Sequence, residues 1–379
     1  MTLIAHSIDP PFFAIGDVLM SRKRKIPFVP PTAPIDISQL LNEENRVWYP
    51  YELRRKVYIL KRNLVVAFSG NGHEIKEFLK ELRIKCNYYD EGLDKITIES
   101  VQGILSSYDF ENLFRESSFF LMHINDDELI AAQITKGPWD SVDNETYHNM
   151  FANGSGSEGY LYWLNEKIDT TSSHPLGDVN RLIQMNCAFI GKLLTIERYT
   201  HSTLRDNWGA GFELIFHTGK SFVKLEAIAY VLFEAKFDSE GDIGLPYPAS
   251  VMYYKYHGEI LIITSIEIYH ARPEEVDSDF VALCYDIEAR VYPVLPLDID
   301  ENDVDRNIYT KDASFTTNSV VRGYVLNQDG YIHSIPSAFN RGPEITVEYN
   351  QNENVVKIRM DKFLLQEMHD KAKDLFLKL

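Results

Sequence analysis

Hydrophobic residues fall in short runs along the first part of this chain, and these runs predict β-strands. Residues 2–8 and 12–20 form two such runs, and Asp9-Pro10-Pro11 between them predicts a turn. Two further runs, at 56–60 and 64–68, are joined by Lys61-Arg62-Asn63. The chain is therefore expected to begin with two pairs of strands.

Helical spacing first occurs after this group of strands. Ser69-Gly70-Asn71-Gly72 leads into a segment with apolar residues at i, i+3, i+4 and i+7, namely Ile75, Phe78, Leu79 and Leu82. That spacing predicts a helix with one apolar face. A second helix is expected at 97–108. Segments 118–124 and 129–135 then flank Asn125-Asp126-Asp127-Glu128, which predicts a hairpin.

The same alternation repeats further along the chain. A strand is expected at 147–152, and Ser155-Gly156-Ser157-Glu158 begins a helical stretch. A longer helix is predicted at 179–200, and strands resume at 212–217. The candidate core positions of the longer helix are Leu182, Ile183, Ala188, Ile190, Leu193 and Leu194. A layered sheet sandwich between helices explains this order of strands, two helices, strands, two helices and strands.

Two parts of the chain fall outside that alternation. Residues 21–50 contain Pro27, Pro30, Pro31 and Pro34 and are expected to form a long surface insertion. The C-terminal part is strand-like and ends in a predicted amphipathic helix at 360–379. We therefore predict two domains, residues 1–235 and residues 236–379.

Composition and charge narrow the function classes. Of the 379 residues, 45% are hydrophobic and 25% are charged, which is typical of a globular protein. The formal net charge of −18 argues against non-specific binding to nucleic acid. The basic run Arg22-Lys23-Arg24-Lys25 is short, and we interpret it as a solvated loop.

Cysteine content and hydropathy indicate the compartment. Three cysteines are too few, and odd in number, for a disulfide framework, and such a set is typical of a reducing compartment. No apolar stretch approaches the ~20 residues that span a bilayer, and the N-terminus lacks the basic region of a secretory signal. A cytoplasmic protein without membrane contact is expected. Because no HExxH motif or paired Cys/His spacing occurs, neither a metal nor a cofactor is expected.

The candidate chemistry begins at Thr2, which directly follows Met1. Methionine is usually removed when the next residue is small, and its removal would leave Thr2 with a free α-amine beside its own hydroxyl. An α-amine has a pKa near ~7.7–8.0 in model compounds, so it can act as a base toward that hydroxyl at neutral pH. Since a threonine at position two is common by chance, the hypothesis depends on the rest of the chain.

A terminal threonine nucleophile also needs a nearby cation, carboxylates that hold the cation, and N–H groups that stabilise the oxyanion. Asp17 ends the second predicted strand, and Lys56 begins a later one. Gly70 ends a strand just before a helix, so its N–H lies near the positive end of a helix dipole. Ser155 lies in Gly154-Ser155-Gly156 before the next helix, and Asp206 lies in Arg205-Asp206-Asn207-Trp208-Gly209-Ala210-Gly211, between a helix and a strand.

In order and context these motifs resemble the proteasome β-subunit and HslV family of N-terminal threonine hydrolases, over roughly residues 2–217. The resemblance implies an α+β fold, the four-layer αββα sandwich of the N-terminal nucleophile (Ntn) hydrolases, followed here by a strand-rich C-terminal domain with a final helix. It places the family's functional residues at Thr2, Asp17, Lys56, Gly70, Ser155 and Asp206.

Three features depart from the family's pattern. Gly209 replaces a serine of the family, so one hydrogen bond near the terminal amine is expected to be missing. The segment from Asp17 to Lys56 is much longer than in the family. An ungapped alignment places Met1 on the nucleophile position, and a first hairpin that is one residue shorter restores Thr2. Without that shorter hairpin, the protein is a pseudoenzyme.

The resemblance implies a threonine-type amidohydrolase, with a peptidase as the leading reading. Thr2 Oγ would attack a peptide carbonyl, and the Thr2 amine would take the proton through a water. Lys56 would lower the pKa of the nucleophile by its charge, and the Gly70 N–H would stabilise the oxyanion. Asp17 would pair with Lys56.

Ser155 and Asp206 would complete the site by orienting the terminal amine. Family members build rings, often with an ATPase that feeds them unfolded protein. A homo-oligomer, an ATPase partner and a peptide or protein substrate are therefore implied.

Two other functions stay open at this point. One is a non-catalytic scaffold or binding subunit of the same fold, favoured by the possible retention of Met1, by Gly209 and by the large C-terminal extension. The other is a hydrolase of small amides instead of peptides.

Overall fold

The structure is a computed structural model, and it describes residues 3–41, 46–89, 96–109, 114–125, 128–134, 139–144, 148–165, 179–237, 243–244, 247–276, 279–304, 313–328, 331–342 and 344–376. Over these residues the chain is a mixed α/β structure in which strands outnumber helices. None of the helices in these ranges is long and apolar enough to cross a membrane.

The helices, in chain order, are α1 Ile37–Leu40, α2 Gly72–Tyr89, α3 Ile98–Ser106, α4 Ser157–Asn165, α5 Val179–Thr200, α6 Ser202–Arg205 and α7 Lys362–Phe376. The strands are β1 Leu3–Ser7, β2 Phe13–Asp17, β3 Leu19–Arg22, β4 Tyr49–Leu53, β5 Val57–Lys61, β6 Leu64–Ser69, β7 Ser118–Asn125, β8 Glu128–Ile134, β9 Asp140–Asn144, β10 His148–Gly154, β11 Phe212–His217, β12 Phe222–Lys224, β13 Ile228–Ala235, β14 Tyr247–His257, β15 Ile260–Val276, β16 Asp279–Val294, β17 Phe315–Thr317, β18 Ser319–Gln328, β19 Tyr331–Arg341, β20 Ile345–Asn350 and β21 Val355–Asp361.

Two antiparallel sheets form the N-terminal half. The first has six strands in the order β12-β11-β2-β1-β10-β9, and the second has four strands in the order β5-β6-β7-β8. They contact each other through β1 with β6 and β2 with β5. The approach is close at Gly16, where a Cβ would lie 2.7 Å from Val57 Cγ2, so a larger residue would push the sheets apart.

Helices cover the outer faces of both sheets. The α2 and α3 helices pack on the four-stranded sheet, where the apolar face of α2 is buried as its spacing predicts. The α4 helix packs on β9 and β10 of the six-stranded sheet. The α5 helix contacts β11 and also β18 and β19, so it lies between the N-terminal and C-terminal halves.

The predicted strand at 12–20 is two strands instead of one. The break falls at Val18, whose N–H donates to Gly211 O at 3.1 Å and whose carbonyl accepts from Arg54 N–H at 2.8 Å. The chain leaves the six-stranded sheet there, and β3 pairs with β4 in a separate two-stranded sheet.

A nine-stranded sheet dominates the C-terminal half, in the order β17-β20-β21-β16-β15-β14-β13-β18-β19. It buries a core of its own, and α7 packs on β16 and β21. Strand β13 belongs to this sheet, because it pairs antiparallel with β14 and parallel with β18. The C-terminal sheet therefore begins at Ile228, within the part of the chain assigned to the first predicted domain, and the boundary at residue 235 stays a prediction.

The expected surface insertion at 21–50 is partly buried. Residues 30–33 are buried, and Ile37 and Leu41 join the main hydrophobic cluster. Ser265 Oγ donates to Pro31 O at 2.6 Å, which fixes this segment on β15. The prolines suggested a surface loop, but proline has no N–H that needs an acceptor, so Pro30 and Pro31 can be buried without an unsatisfied donor.

Candidate active site

Asp17 and Lys56 form an ion pair that is buried from solvent. Asp17 is the last residue of β2, Lys56 directly precedes β5, and their side chains are 0% and 1% exposed. Lys56 Nζ lies 2.5 Å from Asp17 Oδ1 and donates a second bond of 2.5 Å to the carbonyl of Leu19. Burial lowers the pKa of Lys56, while the charge of Asp17 acts in the opposite direction and favours the ammonium form.

The Asp17 carboxylate also joins two other parts of the chain. Its Oδ1 accepts the Leu3 N–H at 2.8 Å, and its Oδ2 accepts the Gly209 N–H at 2.8 Å. One buried carboxylate therefore holds together the start of β1, the Lys56 ammonium and the loop that precedes β11.

Thr2, the expected nucleophile, lies outside the described residues. Its neighbour Leu3 is described, and Leu3 pairs with Gly154 across β1 and β10. Because Gly154 directly precedes Ser155, strand β1 begins beside the Gly-Ser-Gly turn. The assignment of Thr2 as nucleophile stays a prediction.

Gly70 follows β6 in a backbone conformation that favours glycine, with φ of +112°. A Cβ at this position would lie 2.3 Å from Glu116 O and 2.6 Å from Ser117 Cα. Helix α2 begins two residues later, so the Gly70 N–H is near the positive end of its dipole. Among the described residues, none accepts a hydrogen bond from this N–H, which leaves it available to a ligand.

Ser155 lies exposed in the turn between β10 and α4, and its Oγ donates to Asn207 O at 3.4 Å. The turn is pressed against Trp208, because a Cβ on Gly156 would lie 2.6 Å from that ring. Trp208 is itself buried. The Gly-Ser-Gly turn and the loop before β11 are therefore packed together.

Asp206 is placed differently from Ser155. It is exposed at the end of the single turn α6 and lies outside the described lining of the cleft beside Gly70. The next residue, Asn207, is buried in a left-handed conformation with φ of 61°. Asn207 Oδ1 accepts from Arg46 Nη2 at 3.0 Å and from Ser21 Oγ at 3.4 Å. Asn207 thus joins the insertion, β3 and Ser155, a role that sequence reasoning missed.

Glu197 and the backbone conformation both favour glycine at 209. The Glu197 side chain is fully buried, and it accepts hydrogen bonds from the Thr32 and Thr203 hydroxyls and from the Ala210 N–H. Gly209 has φ of +103°, and a Cβ there would lie 1.9 Å from Glu197 Oε2. Burial raises the pKa of Glu197 to about 7, against the effect of its hydrogen bonds.

A second buried ion pair lies next to Lys56. Arg55 Nε lies 2.5 Å from Glu213 Oε1, and both side chains are 0% exposed. Glu213 Oε2 also accepts the Lys56 N–H at 3.0 Å. Arg55 Nη1 reaches Glu259 in the turn between β14 and β15, at 2.8 Å. The C-terminal sheet thereby supports the backbone that carries Lys56.

A cleft of about 770 Å³ opens beside these residues, which is in the size range of ligand sites. Its lining includes Gly70, Ser155 and Asn153, together with parts of β3, β4 and the segment after β16. Asp17 and Lys56 are buried and do not belong to this lining. Gly70 and Ser155 are therefore accessible from the cleft, whereas the ion pair lies in the interior.

The described residues contain no group of three or more His, Cys, Asp or Glu side chains that could hold a metal ion. The buried carboxylates of the site have other partners. Asp17 binds Lys56, Glu213 binds Arg55, and Glu197 binds hydroxyl groups.

No protein-family model matches this chain, and no curated protein matches its sequence. What can be inferred about its function therefore depends on the resemblance of its motifs and on the geometry of the site.

Proposed function

We propose that this chain is a threonine-type N-terminal nucleophile hydrolase that acts on peptide bonds, with Thr2 as its first residue after removal of Met1. The two facing sheets and their outer helices would be the four-layer αββα sandwich of that superfamily. The C-terminal sheet would be an addition to it. The main support for the proposal is that one oxygen, Asp17 Oδ1, accepts hydrogen bonds from two different groups.

That oxygen receives hydrogen bonds from both Leu3 N–H and Lys56 Nζ. The Leu3 nitrogen makes the peptide bond to Thr2, so Thr2 is one covalent bond from an atom that Asp17 holds. In the sequence Thr2 directly precedes Leu3, whereas Met1 is one residue further away. This proximity supports Thr2 as the nucleophile.

The chemistry follows from these groups. Thr2 Oγ would form a bond to the peptide carbonyl carbon as the Thr2 amine takes its proton through a water. The Lys56 charge would favour the alkoxide, and the Gly70 N–H would donate to the oxyanion. The C–N bond then breaks, the leaving amine takes the proton, and water hydrolyses the Thr2 ester.

Buried Lys56 suits this role for a physical reason. Its ammonium is held by Asp17 and the Leu19 carbonyl, so it does not need to reorganise when negative charge develops nearby. A charge interaction also acts over a larger distance in a water-poor site than at the surface.

Hydrolysis of an unstructured protein such as casein by the full-length chain and four full-length variants tests the proposal. We expect Thr2→Ala and Lys56→Met to lower the rate by at least about a thousandfold, and Thr2→Ser to retain measurable activity. Thr218→Ala, an exposed threonine near β11, is the matched control and should hydrolyse casein like the unmodified chain. Undiminished hydrolysis by a folded Thr2→Ala chain would refute the mechanism.

A non-catalytic binding subunit of the same fold is the second candidate, and Gly209 favours it. Glu197 and the backbone conformation both disfavour the family's serine there, so this hydrogen-bonding group near the terminal amine is absent. The geometry around Asp17 and Lys56 would then serve only to hold β1 against β5. Under this candidate, no processed form of the chain hydrolyses peptides, and Thr2→Ala changes no measured property of binding.

A further inference from the structure

The cleft beside Gly70 differs in charge from the rest of the molecule. The chain has a net charge of −18, yet four cationic and three carboxylate side chains line this cleft. The cations are Arg22, Lys23, Arg54 and Lys76, and the carboxylates are Glu52, Glu116 and Asp300. The local balance is therefore slightly positive on a strongly acidic protein.

Two of the four cations form ion pairs with carboxylates of the same cleft. Arg54 Nε lies 3.1 Å from Glu52 Oε2, and Lys76 Nζ lies 3.3 Å from Asp300 Oδ2. Arg22 and Lys23 have no carboxylate within ion-pair distance among the described residues. These two side chains belong to the basic run that the sequence suggested was a solvated loop, but they form part of a cleft wall.

Aromatic rings hold both cations in place. The Arg22 guanidinium carbon lies 5.3 Å from the centre of the Tyr51 ring, and Lys23 Nζ lies 5.5 Å from the centre of the Trp48 ring. Cation–π contacts of this length stabilise a cation without neutralising it. Both rings come from the segment before β5, and β4 within it pairs with β3, so the cations and their supports are one unit.

Part of the lining is apolar. Met20, Leu297 and Ile299 contribute it. Leu297 N–H donates to Tyr58 Oη at 3.0 Å, and Arg54 Nη1 donates to Ile299 O at 3.0 Å. A ligand of this cleft therefore meets apolar side chains, the cations of Arg22 and Lys23, and the Glu116 carboxylate.

We propose that the cleft binds a peptide that carries an acidic side chain, which Arg22 and Lys23 receive while apolar neighbours contact Leu297 and Ile299. The inference rests on the proposed function only for what happens to the bound peptide. A short acidic peptide fits better than a nucleic acid, because a long polyanion would also experience the repulsion of the −18 net charge.

Binding of three labelled peptides to the full-length Thr2→Ala chain tests this inference without any hydrolysis. The peptides share an apolar sequence and differ at one position, which is Glu, Gln or Lys. We expect the Glu peptide to bind about tenfold more tightly than the Gln peptide, and the Lys peptide most weakly. This preference should shrink at high salt, because the cations are partly exposed.

Matched charge variants identify the residues. Arg22→Gln/Lys23→Gln should remove the preference for Glu, whereas Arg24→Gln, an exposed neighbour outside the described lining, should keep it. Equal binding of all three peptides, no binding of any, or an unchanged preference in the double variant would overturn the inference. Tighter binding of a single-stranded oligonucleotide than of the Glu peptide would also overturn it.

The peptide-binding and casein assays together separate this inference from the proposed function. If the unmodified chain hydrolyses nothing but the Glu preference depends on Arg22 and Lys23, only the catalytic proposal fails. If casein is hydrolysed in a Thr2-dependent way and the peptides bind alike, only the charge preference fails.

Discussion

Lys56 Nζ lies 2.5 Å from Asp17 Oδ1, and neither side chain reaches solvent to more than 1% of its surface. A buried ion pair is weak support for stability, because desolvation offsets much of the attraction between its charges. Its position is more informative. The pair lies where β1 begins, and Asp17 Oδ1 also accepts the Leu3 N–H, so the fold keeps a cation beside the first residue of β1.

Removing one member of the Asp17–Lys56 pair should destabilise the fold, because the other charge is then buried alone. Lys56→Met leaves the Asp17 carboxylate buried without a counter-ion, and we expect a loss of about 3–5 kcal/mol in the free energy of unfolding. Lys220→Met, at an exposed lysine, should change it by less than about 0.5 kcal/mol. Urea unfolding gives both values. The combined variant Asp17→Asn/Lys56→Met should lose less than the sum of the two single changes, and strict additivity would contradict a coupled pair.

Gly70 should be sensitive to any side chain. Gly219→Ala is the matched control, because Gly219 also has positive φ, at +85°, but nothing lies within 4 Å of its added Cβ. For Gly219→Ala we expect a loss of roughly 1–2 kcal/mol from backbone strain alone. Gly70→Ala should lose clearly more, since its Cβ also meets Glu116 O. Equal unfolding midpoints in urea for the two variants would show that the site tolerates a side chain.

Glu197 should make stability depend on pH. Burial raises its pKa from 4.5 to about 7. Between these values the folded chain keeps a proton that the unfolded chain has released, so the free energy of unfolding falls as the pH rises from 4.5 to 7. The contribution is fully present below pH 4.5, is lost by about pH 7, and amounts to about 3 kcal/mol.

Glu197→Gln removes this titration, so the decline between pH 4.5 and 7 should become shallower. Urea unfolding at several pH values measures the slope. Glu353→Gln, at an exposed turn, serves as the control and should leave the slope as it is. An identical slope in Glu197→Gln would mean that Glu197 titrates normally.

The exclusion of serine at 209 can be tested directly. Gly209→Ser should destabilise the chain strongly, because its Cβ would lie 1.9 Å from Glu197 Oε2 at a φ of +103°. If Glu197 is the obstacle, the losses in the free energy of unfolding should not add. The double variant Gly209→Ser/Glu197→Ala should lose at least about 1 kcal/mol less than the sum of the losses in the two single variants. A thermal or urea double-mutant cycle measures this coupling. Zero coupling would show that the backbone angle alone excludes serine.

Much of the N-terminal half could be predicted from local patterns. The bounds of α5 and β11 are as the sequence predicts, because apolar spacing continues through both elements and neither contains a proline. Asp17 and Lys56 are 39 residues apart, and their pairing was inferred from the resemblance, since no local rule brings them together.

Sequence reasoning missed Glu197 and Thr32 because their roles depend on tertiary contacts. Glu197 continues the buried stripe of Ile190, Leu193 and Leu194 at i+7, and a carboxylate in that stripe was the available signal. Its partner Thr32 lies in the proline-rich segment expected at the surface. Burial there depends on α5 and β15, which are far away in the sequence.

The pairing of β13 with C-terminal strands could not be predicted, for a related reason. Strand β13 follows β12 closely, so its sequence suggested a continuation of the first domain. Its parallel partner β18 begins at Ser319, and no local pattern announces a pairing over that separation.

Tandem mass spectrometry of the N-terminal peptide from the purified full-length chain tests the central claim most directly. The proposed mechanism needs a free α-amine on Thr2, the residue that directly precedes Leu3. We expect a peptide that begins at Thr2 and carries an unmodified amine. A peptide that retains Met1 would block that amine, contradict the catalytic account and favour the non-catalytic binding subunit.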